Sequence, residues 1–327
     1  MAEVTDTTDH ITRSPNKEAY LLPEYGEFKG SDLPTVAEVL VAGQAEIASR
    51  FKPDNLPITD GDIERLVTVC LDEINRIESA ARNPQRWEIS PAEAAKTRLI
   101  IDFSAPGTYF LPFKDDRYKD KPWAILMDRR RADTSAILGI VLAGILTKED
   151  YSIFTKYRLL NGLNPELANL RPGVRENILK TNLQFLYLGT PQEATAINKV
   201  LHSAYSFVPP EAVTVVDSVE RHKIDNTIDQ VKAIKEFFDT HTDLFQDGDI
   251  VDFVLGPQAV RVLRMCAQFK AIPNNLKVQV FPESTPKIGV REYATNESKA
   301  AIYYAVTKNA SIEPHPFEII GDNKLVL

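Results

Sequence analysis

Three patterns of apolar and polar positions follow one another along the chain. Residues 1–33 are polar and are interrupted by proline and glycine, which predicts a flexible tail. In residues 34–97 apolar side chains recur at steps of three and four, which predicts a helical extension of two helices. Thr59 or Asp60 is expected to cap the second helix. In residues 98–327 short apolar runs alternate with helical segments, which is typical of repeated strand–helix units.

Five mainly apolar runs in this last region predict the strands of one sheet. They cover residues 99–103, 183–188, 212–216, 250–255 and 276–281. The predicted helices of this region cover residues 133–146, 191–205, 227–238, 258–269 and 297–307. Because helices connect successive strands and the strands are apolar on both faces, we expect an α/β fold. Its sheet is expected to be doubly wound, mostly parallel, five-stranded and Rossmann-like, preceded by the N-terminal helical extension.

Composition and charge restrict the class of protein. The 327 residues are 43% hydrophobic and 26% charged, which is close to the averages of soluble globular proteins. A net charge of −8 disfavours a dedicated nucleic-acid partner, since such a protein needs a basic face for phosphates. The two cysteines, Cys70 and Cys266, cannot form a disulfide framework and lack metal-ligand spacing. The longest apolar run, residues 136–146, is too short for a membrane span, and no secretory signal is apparent, so we expect a cytoplasmic protein.

Small and polar residues follow four of the predicted strands. The carboxyl ends of parallel strands share one edge of the sheet, and ligands of such sheets bind there. The candidates are Gly107 and Arg131 after the first strand, Gly189, Thr190 and Glu193 after the second, Asp217, Asn226 and Thr227 after the third, and Gly256, Gln258 and Arg261 after the fourth. The pattern predicts a site for a small polar ligand, anionic or nucleotide-like. If the protein is an enzyme, Glu193 and Asp217 are the candidate catalytic carboxylates.

Structural roles are open for the same residues. Thr190 and Glu193 have the spacing of a capping box at a helix N-terminus. Asn226 has the side chain of a helix cap, although its amide also offers a ligand both a donor and an acceptor. Arg261 is expected either in solvent or, since it opposes the helix dipole in a first turn, in a pair or on a ligand. Gly256 is suited to a plain strand-to-helix turn.

The order of these motifs resembles the SanA/YdcF/ElyC-like family, a bacterial family of largely unknown function. The resemblance rests on Thr190-Pro191-Gln192-Glu193-Ala194, on Asn226-Thr227 and on the turn from Gly256 to Arg261, and it covers about residues 98–285. It implies a Rossmann-like fold, an association with cell-envelope metabolism and, from one branch of the family, S-adenosylmethionine as a candidate cofactor. The chain departs from the family in having Gln258 where a histidine is usual and Gln230 where an asparagine is usual. Glutamine cannot titrate near neutrality, so acid–base chemistry at residue 258 would be lost.

Standard nucleotide and hydrolase motifs are absent from the sequence. No Gly-x-Gly-x-x-Gly fingerprint, Walker-type phosphate loop or Gly-x-Ser-x-Gly elbow occurs. We therefore expect a protein that binds a small molecule at the strand ends, with an enzyme of uncharacterised reaction as one form of this hypothesis. The alternative is a non-catalytic regulatory or interaction protein that retains the fold. The sequence carries no indication of an oligomeric state.

Overall fold

The computed structural model describes most of the chain and all of the predicted sheet strands. The described residues are 27–50, 57–87, 89–103, 134–135, 138–139, 142, 174–203 and 208–322. Their helices are α1 (Val36–Arg50), α2 (Asp60–Arg82), α3 (Pro91–Ala94), α4 (Val174–Lys180), α5 (Pro191–Ser203), α6 (Thr227–Thr240), α7 (Ala259–Phe269) and α8 (Val290–Val306). Their strands are β1 (Thr97–Asp102), β2 (Gln184–Leu188), β3 (Val213–Val216), β4 (Ser218–Val219), β5 (His222–Lys223), β6 (Ile250–Leu255), β7 (Lys277–Pro282) and β8 (Glu318–Ile319).

The main sheet confirms the predicted fold class. It has six strands in the order β3-β2-β1-β6-β7-β8, and all neighbouring strands are parallel. β4 and β5 form a separate antiparallel hairpin between β3 and α6. Since the order reverses between β1 and β6, the fold is doubly wound and Rossmann-like, and its topological switch point lies between these two strands. The sixth strand, β8, was not predicted because its two residues form no apolar run.

The two faces of the sheet differ in polarity. One face packs against α2, α6 and α7 and is apolar, with Leu99, Ile101 and Phe253 in its core. The register places Ile100 beside Asp252 and Asp102 beside Val254 on the opposite face. All six residues of β6 are buried, which fits a parallel strand covered on both sides.

The N-terminal helices are part of the packed body. Ile77 of α2 belongs to the core beneath the sheet, and a second core lies between α1, α2 and α8. The buried Arg264 of α7 pairs with Glu73 of α2 at 2.7 Å. The end of the predicted tail also packs, since Arg291 Nη1 donates to the Leu33 carbonyl at 2.8 Å. Residues 1–26 lie outside the described residues.

The predicted start of the last helix was wrong. α8 begins at Val290, seven residues before the predicted start. Its first two turns bury Val290 and Ala294 but also carry Arg291, Glu292 and Tyr293, which interrupt the apolar pattern. No helix in the described ranges is both long and apolar enough to cross a bilayer.

Candidate functional site

The carboxyl edge of the sheet collects the turns that the sequence singled out. Gly189 follows β2, Asp217 follows β3, and Gly256 follows β6. Since these strands are parallel, the three turns lie at one edge, as the sequence predicts. Gly107 and Arg131 belong to the segment that follows β1 and lie outside the described residues.

At the N-terminus of α5, the candidate residues form a capping box. The Thr190 N–H donates to Glu193 Oε2 at 2.7 Å, and the Glu193 N–H donates to Thr190 Oγ1 at 3.3 Å. Gly189 is packed against this box, because a Cβ atom at residue 189 would lie 2.8 Å from the Cβ of Glu193. The contacts of Glu193 are therefore those of the structural alternative.

The N-terminus of α6 is capped in a similar way. Asn226 Oδ1 accepts from the N–H groups of Ile228 at 2.8 Å and Asp229 at 3.1 Å. Gln230, one turn further on, donates through Nε2 to the Leu188 carbonyl at 3.2 Å and so joins α6 to the end of β2. The side chain of Asp217 is exposed, and its carbonyl accepts from the Ile224 N–H at 3.0 Å.

Arg261 lies in the first turn of α7 and joins three helices. Its Nε donates to Glu297 Oε2 of α8 at 2.5 Å, and its Nη1 donates to Thr227 Oγ1 of α6 at 2.5 Å. Burial by itself would lower the pKa of Arg261, but the Glu297 carboxylate beside it outweighs this and raises that pKa. The guanidinium thus remains charged and paired within the protein.

Gln258, at the start of α7, has its carbonyl oxygen held by two donors. The Gly256 N–H donates to Gln258 Oε1 at 3.2 Å, and the Tyr293 hydroxyl of α8 donates to the same oxygen at 2.8 Å. The residue is 4% exposed, and no side-chain group of its own caps α7. Its neighbour Gly256 is tightly packed, because a Cβ atom there would lie 2.9 Å from the Glu283 carbonyl oxygen.

Buried polar side chains within the strands were missed by the sequence analysis. Asp252 in β6 is 1% exposed, and neither of its carboxylate oxygens has a hydrogen-bond partner in the described part of the chain. Burial, with a smaller contribution from the charge of Glu93, raises the pKa of Asp252 to about 8. Burial and the charge of Asp102 raise the pKa of Tyr187, whose buried hydroxyl also lacks a hydrogen-bond partner among the residues that the structure describes. The sequence did carry a signal for them, because Asp102 and Asp252 are each the single acidic residue inside an apolar strand run.

A second polar cluster lies at the end of β7. The buried Glu283 carboxylate accepts from the Thr134 hydroxyl and lies 3.7 Å from Arg86 Nη2. The Glu78 carboxylate of α2 accepts from the Thr285 N–H at 3.0 Å, and Arg82 pairs with the same carboxylate. These contacts fix the β7 turn to α2, next to Gly256.

One depression at the edge, lined by Gly189 and Glu193 among others, is closed. This depression lies between α5 and the ends of β2 and β3 and does not admit a water molecule. The described ranges hold no cluster of three histidine, cysteine or acidic side chains suited to a metal ion. The chain matches no protein-family model, no curated protein and no solved structure.

Proposed function

We propose that this protein binds a small molecule rich in hydrogen-bond acceptor oxygens, such as an anionic or nucleotide-like compound. The site is placed at the carboxyl edge beside the β1–β6 switch point, where Rossmann-like sheets bind their ligands. The observation that carries the proposal is the orientation of the Gln258 amide at the start of α7.

The orientation of this amide is defined by a backbone donor. Because the Gly256 N–H can only donate, the atom that it contacts is the oxygen of Gln258, and the nitrogen lies on the other side. Among the described residues, the side-chain contacts of Gln258 both involve this oxygen, and none accepts from the nitrogen. Its two N–H groups are therefore available to donate to a ligand oxygen or to water. The N-terminus of α7, without a side-chain cap, adds a positive end to the same place.

Binding without acid–base catalysis by these residues fits the contacts of the other candidates. Glu193 is used by the capping box, and Arg261 is paired with Glu297. Gln258 cannot exchange a proton near neutral pH. These observations favour a regulatory or ligand-sensing role over an enzyme that uses these groups. Asp217 is an exposed carboxylate at this edge and would be available to an enzyme.

The resemblance to the SanA/YdcF/ElyC-like family forms part of this proposal. It rests on the order of the Thr190, Asn226 and Gly256 motifs, and all three lie at helix N-termini on the same edge of the sheet. It also makes S-adenosylmethionine one of the ligands to test. A cytoplasmic location belongs to the proposal as well, as the place where nucleotide-like ligands are abundant.

A thermal-shift screen with matched variants tests the proposed site. Nucleotides, S-adenosylmethionine and sugar phosphates are added to the wild type, to Gln258→Glu and to the control Gln268→Glu, which makes the same charge change at an exposed position of α7. A ligand at about 100 times its Kd stabilises the folded state by about 2.7 kcal/mol, so the melting temperature rises.

We expect a compound that raises the melting temperature of the wild type and the control but leaves Gln258→Glu unchanged. The glutamate keeps an oxygen for the Gly256 N–H but replaces the free donors by a carboxylate oxygen, which repels acceptors. A wild type that responds to no compound, or a folded Gln258→Glu that responds fully, would contradict the proposal.

A further inference from the structure

α8 contacts the first turn of α7 through two polar side chains that are one helical turn apart. Tyr293 donates its hydroxyl to Gln258 Oε1 at 2.8 Å, and Glu297 accepts from Arg261 Nε at 2.5 Å. Residues four apart lie on the same side of a helix, so both contacts come from one face of α8. Neither Tyr293 nor Glu297 was singled out by the sequence, because both lie outside the turns that follow the strands.

We infer that Tyr293 is a positioning residue that holds the Gln258 amide in its ligand-binding orientation. This inference rests on the proposed function, because the amide that Tyr293 holds is the proposed ligand-binding group. The terminal torsion of a glutamine side chain is broad, so one contact to the Gly256 N–H at 3.2 Å leaves the amide free to rotate. A second donor on the same oxygen fixes the plane of the amide. The directions of both N–H groups of Gln258 are then set before a ligand arrives, which lowers the entropic cost of binding.

The position of α8 itself does not depend on the Tyr293 hydroxyl. Val290, Ala294 and Ala301 of α8 are buried in the core that this helix shares with α1 and α2. Arg291 adds contacts to the Leu33 carbonyl and to Glu38 of α1. Removal of a single hydroxyl therefore leaves the helix in place and takes one donor away from the Gln258 amide. The N-terminal helices thus support, through α8, a group at the carboxyl edge of the sheet.

The first measurement of this role needs no ligand. In the wild type, the side-chain NH₂ group of Gln258 should give two sharp, well-separated NMR signals, which are assigned by their loss in Gln258→Glu. Tyr293→Phe should broaden these signals or move them towards the values of a freely rotating glutamine. The control Tyr303→Phe removes a hydroxyl from the same helix at a position away from Gln258 and should leave them unchanged. Unchanged Gln258 signals in folded Tyr293→Phe would overturn the positioning role.

The second measurement uses adenosine 5′-monophosphate and inorganic phosphate as probes in calorimetric titrations. Loss of one anchoring hydrogen bond predicts about tenfold weaker binding to Tyr293→Phe, with binding to Tyr303→Phe as in the wild type. Equal affinity of the wild type and Tyr293→Phe would overturn the positioning role while leaving the proposed site intact. A wild type that binds neither probe would overturn this inference together with the proposed site for these ligands, even if the NMR signals change as expected.

Discussion

Polar side chains at the carboxyl edge of the sheet and polar side chains within its strands are in opposite situations. At the edge, the side chains of Glu193, Asn226 and Arg261 all have close partners. Within β6, Asp252 is more deeply buried, and its carboxyl group has no hydrogen-bond partner among the described residues. The backbone explains the difference, because the first N–H groups of a helix have no partner within the helix, whereas strand N–H groups are used by the sheet.

The comparison shows where a charge can be kept in this fold. A carboxylate such as Glu193 remains favourable beside the N–H groups at a helix start. The carboxyl group of Asp252 has no such donors within the described ranges, and burial favours its neutral form and raises its pKa to about 8. The raised pKa of Asp252 therefore belongs to a strand residue and not to one of the turns that the motifs identify.

Asp252→Asn should give the largest effect, and the effect should depend on pH. The folded protein holds the Asp252 proton up to about pH 8, whereas an unfolded chain releases it near pH 4. The contribution of this protonated carboxyl group to the free energy of unfolding is fully present below about pH 4. It is lost as the pH rises to about 8, by up to about 1.4 kcal/mol per pH unit. Relative to Asp252→Asn, the wild type should therefore lose stability steadily over this range, as measured by urea unfolding.

The exposed Asp243 provides the matched control for this measurement. Asp243→Asn removes the same ionisable group from the surface and should shift the free energy of unfolding by a similar amount at each pH. A constant difference between Asp252→Asn and the wild type from about pH 5 to about pH 8 would mean that Asp252 is already ionised when folded. The contrast between edge and interior would then fail.

Arg261→Ala should give the next largest effect. It leaves the Glu297 carboxylate, which is 7% exposed, without its cation, and loss of one member of a buried pair costs about 3 kcal/mol. The control is Lys235→Ala, which breaks the exposed pair with Asp239 and should cost less than about 0.5 kcal/mol. Urea unfolding at neutral pH measures both. If Arg261→Ala is as stable as the control, Arg261 is available for a ligand instead of serving the fold.

The sequence predicted the framework of the molecule better than its chemistry. Residues 250–255 were predicted as a strand and form β6, because a continuous apolar run is what a parallel strand buried on both faces requires. The same run concealed Asp252, since a single acidic residue does not change the pattern. Tyr293 was also missed, because its partner Gln258 lies 35 residues away and only the fold brings them together.

The contacts of the candidate edge residues show the same difference: contacts within one turn could be predicted, and contacts between helices could not. Local contacts, such as the Thr190–Glu193 capping box, follow from spacing within one turn and were foreseen as alternatives. The pair of Arg261 with Glu297 depends on the packing of α8 against α7, which no periodicity indicates. The sequence could therefore identify residues at the edge, but it could not distinguish those that cap their own helix from those that connect two helices.

Asn226 gives the smallest effect and the sharpest test of how local the edge contacts are. Its oxygen caps only its own helix, so Asn226→Ala should lower the free energy of unfolding by about 1 kcal/mol. Asn226→Asp retains the capping oxygen and should be close to the wild type in urea unfolding. Because neither change reaches Gln258, both variants should keep the wild-type response to ligands in the thermal-shift screen. A stable Asn226→Ala that no longer responds would instead place Asn226 on the ligand, and the edge would then hold a second binding group in addition to the α7 turn.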